Sequence, residues 1–85
     1  MLNTFDPMIK IQCFGIIKDL VGASSIPVSE VPETVGDLRA YLTKVYPSFN
    51  GLSSWMIAVN QSYAEDQTAL NVNDEVALIP PVSGG

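Results

Sequence analysis

Asn73-Asp74-Glu75-Val76-Ala77-Leu78-Ile79-Pro80-Pro81-Val82-Ser83-Gly84-Gly85 is the stretch whose reading decides how this chain is built. Its short apolar run, entered through a polar, acidic turn, has the pattern of a buried strand, expected over residues 75–79. Proline donates no N–H to a sheet ladder, so Pro80 ends the strand and Pro81 keeps the chain extended. A proline pair favours a stiff, polyproline-like direction that carries the following residues away from the domain. Gly84 and Gly85 have no side chains, so they fit a narrow channel and reach backbone angles that a Cβ forbids. Six extended residues span roughly 20 Å, enough to enter another protein's active site. Residues 80–85 therefore read as a thread on a rigid base, ending in an unhindered carboxylate that another enzyme can activate. A Gly-Gly ending alone is also that of a frayed terminus. The strand and paired prolines ahead of it set this one apart.

Working outward from that ending, 85 residues make one domain near the lower limit for a self-sufficient core. A hydrophobic fraction of 47% is ample for such a core and excludes global disorder. No apolar run approaches the ~18–20 residues that span a bilayer. Residues 1–7 carry neither the basic region nor the apolar core of a signal peptide, and are expected as a loose extension before a domain over residues 8–79. A soluble, cytoplasmic protein with no membrane partner is the resulting expectation. The net charge of −5, with Lys10, Lys18, Arg39 and Lys44 as the only cations, has the wrong sign for a phosphate backbone. Nucleic acid is therefore excluded as a partner, and a basic protein surface is preferred. The single cysteine, Cys13, forms no internal disulfide and no cysteine-based metal site. The chain has no histidine, so the usual base for activating a thiol or serine is missing.

Along the chain, residues 8–16 alternate, with Ile9, Ile11 and Cys13 on one side and Lys10, Gln12 and Phe14 on the other, which predicts a first strand. Cys13 then reads as a small buried hydrophobe. Residues 17–22 predict a short helical or irregular connection closed by Gly22. Residues 24–28 give a second strand, placed at an edge or a strand end by Pro27. Thr34 is the expected N-cap of the main helix, with Asp37 as a short-armed capping acid. Val35, Leu38, Leu42 and Val45 form its apolar stripe, and Pro47 stops it. Glu33 and Asp37 near its start and Lys44 near its end complement the helix dipole, so these charges need no acid–base role. Phe49 and Trp55 are expected to tuck under the helix from a loop. Residues 56–59 form a third strand, ended by the polar turn Asn60-Gln61-Ser62 before Tyr63. Glu65-Asp66-Gln67 reads as a solvated acidic turn, and two loop carboxylates without further ligands make no metal site.

The order strand, strand, helix, strand, strand places one helix on one face of a mixed sheet, with the first and last strands adjacent in the middle. This is an α+β, β-grasp (ubiquitin-like) arrangement. No second helix is predicted on the opposite face. Phe14, Ile79 and Tyr63 are expected together there as an apolar protein-binding patch.

With these features in place, the chain resembles the MoaD family of ubiquitin-like sulfur carriers, the small subunits of molybdopterin synthase, from about residue 8 to residue 85. The residues that carry the resemblance are the opening strand through Phe14, Lys18-Asp19-Leu20-Val21-Gly22, Val59-Asn60-Gln61 and, above all, the last strand followed by Pro80-Pro81-Val82-Ser83-Gly84-Gly85. The proline pair also separates this ending from the thiamine-pathway relatives. Three departures stand out. Asn73 replaces a glycine in the turn before the last strand, where asparagine tolerates the same left-handed conformation. Lys18-Asp19 replaces an Arg-Glu pair, which weakens any bidentate contact made by the arginine. Leu78 and Ile79 replace aromatics, keeping the docking patch apolar.

The resemblance implies a role for each part. A ubiquitin-activating-enzyme-like adenylyltransferase would use ATP to convert the Gly85 carboxylate to an acyl-adenylate, and a sulfur donor would convert that to a thiocarboxylate. Gly84 and Gly85 would enter the large synthase subunit and deliver sulfur to cyclic pyranopterin monophosphate. Phe14, Tyr63, Ile79, Pro80, Pro81, Val82 and Ser83 would bind the partner. No bound cofactor and no metal are expected. A thiocarboxylate carrier for a thiamine-type pathway, a ubiquitin-like modifier forming isopeptide bonds through Gly85, and a binding module with an inert tail remain the alternatives.

Overall fold

Alternation of buried Ile9, Ile11 and Cys13 with outward Lys10 and Gln12 produces β1 (Ile9–Cys13). The computed structural model describes residues 9–28, 30–52 and 54–81. The expected extension over residues 1–7 and the tail positions Val82, Ser83, Gly84 and Gly85 lie outside the described residues. β1 ends at Cys13 rather than running to residue 16 as its alternation suggests. Phe14 is already the N-cap of α1 (Gly15–Val21), and Gly15 adopts φ 55°, which breaks the extended run. The connection after β1 is thus a true helix. It inserts Ile17 fully into the core and closes at Gly22, whose left-handed backbone lets its N–H reach the Lys18 carbonyl at 2.8 Å.

β2 (Ser25–Val28) runs antiparallel to β1, with Pro27 opposite Lys10 at the sheet edge, where a missing N–H costs nothing. α2 (Val35–Val45) starts as the sequence predicts. The Thr34 hydroxyl accepts from the Asp37 amide at 3.1 Å. The two amides ahead of it find backbone partners, Val35 donating to the Thr68 carbonyl and Gly36 to the Asp66 carbonyl, at 2.9 and 2.8 Å. The first turn of the helix therefore has its free donors satisfied and is stitched to the chain at residues 66–68. Asp66 is more than a solvated turn residue, since Arg39 Nε donates to its carboxylate at 3.1 Å. Arg39 also donates to the Trp55 carbonyl and lies 4.7 Å over the Trp55 ring, tying three segments together.

Val35, Leu38 and Leu42 are fully buried, but Val45 is 46% exposed and does not belong to the core stripe. The reason lies just beyond it. Pro47 ends the helix and starts a 3₁₀ turn (Pro47–Gly51) that inserts Phe49 into the core, between Tyr46 and Trp55. This aromatic group closes the end of the core that Val45 was expected to cover.

β3 (Met56–Val59), β4 (Ser62–Tyr63) and β5 (Val76–Ile79) complete one mixed sheet in the order β2-β1-β5-β3-β4. β1 and β5 pair in parallel at its centre, with Ile11 beside Val76 and Cys13 beside Leu78. β3 is antiparallel to both β5 and β4. The chain has the ubiquitin-like β-grasp fold. β4 is a strand that the sequence reading missed, because Ser62 pairs with Val59 and the turn shrinks to Asn60-Gln61. Both turn residues have positive φ, 54° and 71°, as short hairpin turns that match strand twist require. Asn73, which would tolerate that conformation, does not adopt it. The neighbouring Asp74 instead accepts from the Asn60 amide side chain and the Asn71 N–H, at 3.0 and 2.8 Å. Asn60 Oδ1 in turn accepts from the Glu75 amide, so the hairpin turn and the entry to β5 are locked together.

Cys13 lies in the core, and burial pushes its thiol above the ordinary value of 9.0. The folded state therefore favours the neutral thiol, a contribution complete below that value and lost as pH rises beyond it. At neutral pH the native protein should react far more slowly with a thiol reagent than the urea-unfolded chain, and equal rates would contradict the burial. Leu38→Ala should cost about 3 kcal/mol in urea unfolding. Val45→Ala should stay within about 0.5 kcal/mol. Equal losses would restore Val45 to the core.

Candidate functional site

The same alternation that buries Val76 and Leu78 of β5 turns Ala77 and Ile79 to the face opposite α2. Strand register builds two rows on that outer face. Gln12, Ala77, Ala58 and Tyr63 stand side by side across β1, β5, β3 and β4. The next row holds Met56 opposite Ile79, and Phe14 follows Cys13, the neighbour of Leu78. The alanines at the centre of the first row are small, so larger groups stand around a shallow hollow of about 400 Å³ lined by Ala58, Gln61, Tyr63, Ala77 and Ile79. Phe14, Met56 and Tyr63 are 46%, 42% and 67% exposed. Outward apolar groups in adjacent rows of one sheet face have the character of a protein-docking surface.

Tyr63 and Ile79 thus meet at one hollow, as the sequence predicts. Phe14 lines a second one, about 460 Å³, with Lys10, Gln12, Gly15 and Lys18 among its neighbours. The expected single patch is therefore a strip with a hollow at each end. Met56 was missed, although the alternation of Met56 and Ala58 with Ile57 and Val59 would have placed it on this face. Leu78, expected to keep the patch apolar, is fully buried in the core and takes no part in it.

The root of the tail sits at the end of this strip. Pro80 and Pro81 are half-buried, and Pro80 lies against Gly15 at the start of α1. The remaining candidate tail residues, Val82, Ser83, Gly84 and Gly85, lie outside the described residues. Among the described residues no three His, Cys, Asp or Glu side chains converge as metal ligands do. No helix among them is long and apolar enough to cross a membrane. Cys13 alternates to the core side of β1 and is buried, although it borders the hollow beside Phe14. What the described surface supplies is an apolar seat beside Pro80 and Pro81.

Residues 11–85 match the family model described as the ThiS family. The chain is 41% identical over 83 residues to the molybdopterin synthase sulfur carrier subunit of Dictyostelium discoideum, covering 89% of this chain and 94% of that one. Among solved structures, the small archaeal modifier protein 1 of Methanosarcina acetivorans superposes with a TM-score of 0.76 at 26% identity, over 92% of this chain and 96% of that one. In the complex of subunits 1 and 2 of the molybdopterin-converting factor from Helicobacter pylori, the matching chain gives a TM-score of 0.66 at 28% identity, over 92% and 99% of the two chains. Strand order, proline-terminated central strand and sequence similarity over nearly the whole length agree, and the chain belongs to the ThiS family of ubiquitin-like β-grasp proteins, with molybdopterin synthase sulfur carrier subunits among its relatives.

Proposed function

We propose that this chain is a sulfur carrier of molybdenum cofactor biosynthesis, the small subunit of a molybdopterin synthase, loaded as a thiocarboxylate at Gly85. One observation carries the reading. The family match takes in the central strand, the proline pair and the Val82-Ser83-Gly84-Gly85 ending together, in a chain closely similar to a named carrier subunit. In this reading residues 8–79 are the docking body, residues 80–85 the tail and residues 1–7 an extension.

A carboxylate is a poor acyl electrophile, so loading begins with an adenylyltransferase. The Gly85 carboxylate oxygen attacks the α-phosphorus of ATP, pyrophosphate leaves, and an acyl-adenylate forms. A hydrosulfide-equivalent donor then adds to the acyl carbon, AMP departs with the bonding electron pair, and the thiocarboxylate remains. In the synthase the sulfur passes to cyclic pyranopterin monophosphate, and the carrier returns to a carboxylate. Two such deliveries supply the dithiolene. The partners provide the nucleotide site, the cations and the bases, so the carrier needs no catalytic histidine and no cofactor of its own. ATP belongs to the activating partner. Cytoplasm is the compartment we assign.

The outer face, with Phe14, Tyr63, Ile79 and the added Met56, is the surface we assign to the large subunit, with Pro80 and Pro81 leading the tail into its site. A complex of the two factor subunits exists for the Helicobacter pylori relative, which supports a paired arrangement. Similarity to a small archaeal modifier protein favours one second reading, in which Gly85 forms isopeptide bonds with lysines of target proteins.

Intact-mass analysis after incubation with the activating enzyme, ATP and a sulfide source separates the two. The carrier should gain the mass difference of one sulfur for one oxygen, located on its C-terminal fragment, whereas ladders of protein adducts would support the modifier. Deleting Gly84-Gly85, or adding one residue after Gly85, should abolish sulfur transfer while leaving the unfolding midpoint unchanged, and normal transfer by either variant would refute the tail assignment. Phe14→Glu and Ile79→Glu should each weaken binding to the large subunit by about tenfold or more, measured by calorimetry. Unchanged affinity in both would move the interface elsewhere.

A further inference from the structure

Gly15 is the residue against which the root of the tail rests. It follows β1 with φ 55°, a conformation that L side chains rarely adopt. A Cβ placed on it would lie 2.9 Å from Pro80 Cγ, 3.7 Å from Pro80 Cβ and 4.0 Å from Pro80 Cδ. Carbon atoms pack best at about 3.5–4.0 Å, so the Pro80 ring occupies space that any larger residue would need. Two independent demands for glycine therefore fall on one position, one from the backbone and one from the ring. Gly22 shows the contrast: its φ is 83°, yet nothing lies within 4 Å of its own virtual Cβ, and only the backbone demand applies.

The location gives the contact its consequence. Ile79 is the last residue of β5, paired with Met56, so Pro80 is the first residue beyond the sheet ladder. Proline's ring fixes its own φ near −65°, but it does not by itself fix the ring against the domain. A rigid ring seated against a rigid corner does.

We propose that Gly15 is a positioning residue for the tail: its bare Cα forms a notch that seats the Pro80 ring and sets the heading of the chain at Pro80–Pro81, ahead of the glycines. The contact stands on the geometry above, while its effect on turnover rests on the sulfur-carrier reading. Gly15 borders the hollow beside Phe14 but contributes no side chain to the apolar strip, so the notch acts on the transfer step more than on docking.

Three variants and one spectrum test this. Gly15→Ala fills the notch and strains the backbone. Gly15→Asn also fills the notch but tolerates positive φ. Pro80→Ala removes the ring atom that a Cβ at position 15 would strike. Using the thiocarboxylated chain with the large subunit, Gly15→Ala and Gly15→Asn should each lower kcat for sulfur transfer by about tenfold to a hundredfold, with KM for the carrier changed much less. In the Pro80→Ala background, Gly15→Asn should cost little more than Pro80→Ala alone, whereas Gly15→Ala keeps its backbone strain. Full transfer by Gly15→Asn, or losses from Gly15→Asn and Pro80→Ala that simply multiply, would reduce Gly15 to a turn residue and overturn the proposal. A nuclear Overhauser contact between the Gly15 Hα and Pro80 Hγ protons is expected in the unaltered free protein, and its absence would also overturn it. That measurement needs no sulfur chemistry, so failure of transfer by the unaltered chain would count against the carrier reading and not against the notch.

Discussion

The parallel pairing of β1 with β5 at the centre of the sheet is the constraint on which the rest of the molecule depends. It joins the first described strand to the last, and it leaves β5 bonded on both sides, by β1 and by β3. A strand held on both edges is the most firmly fixed element a small sheet offers. The chain emerging from it at Pro80 therefore leaves from a rigid point. Parallel neighbours also place the end of β1 beside the end of β5, which brings Phe14 and Gly15 to the root of the tail. Were the two strands antiparallel, the start of β1 would stand there instead.

The two faces of the sheet divide the work. On one side, α2, α1 and the 3₁₀ turn bury Leu38, Leu42, Ile17 and Phe49 against Ile11, Ile57 and Leu78, and this packing supplies the stability. On the other, no described helix covers the strands, and Phe14, Met56 and Tyr63 remain exposed. A domain this small needs only one core, so the second face is free to serve as a docking surface. In the carrier reading that division leaves the described body to hold and dock the end of the chain. In that reading the reacting group is the main chain, and the sheet and its outer face hold and dock it.

Much of this was legible in the residues. Period-two alternation located β1, Thr34 and the apolar stripe located α2, and Pro80 marked the end of β5, because each rests on local chemistry. What escaped depended on contacts between distant segments. Val45 fits the helical period, yet the fold-back of Phe49 displaces it from the core. β4 is only two residues long, and its turn uses Gln61 at positive φ, where glycine would have announced a hairpin. Asp66 is an exposed carboxylate, as its loop suggests, but its ion pair with Arg39 of α2 is not visible in the sequence. Similarly, Phe14 continues the alternation of β1, but the left-handed Gly15 after it starts a helix. The glycine was visible; the ring of Pro80 lying on it was not.

The central claim is that sulfur travels on the main-chain end of this domain. It is tested most directly by a single turnover in which Gly85 carries an isotopically heavy sulfur and the complex with the large subunit is given cyclic pyranopterin monophosphate and no other sulfur source. A carrier predicts heavy sulfur in the pterin product, in step with the return of Gly85 to a carboxylate. Heavy sulfur retained on Gly85 while product forms would contradict it.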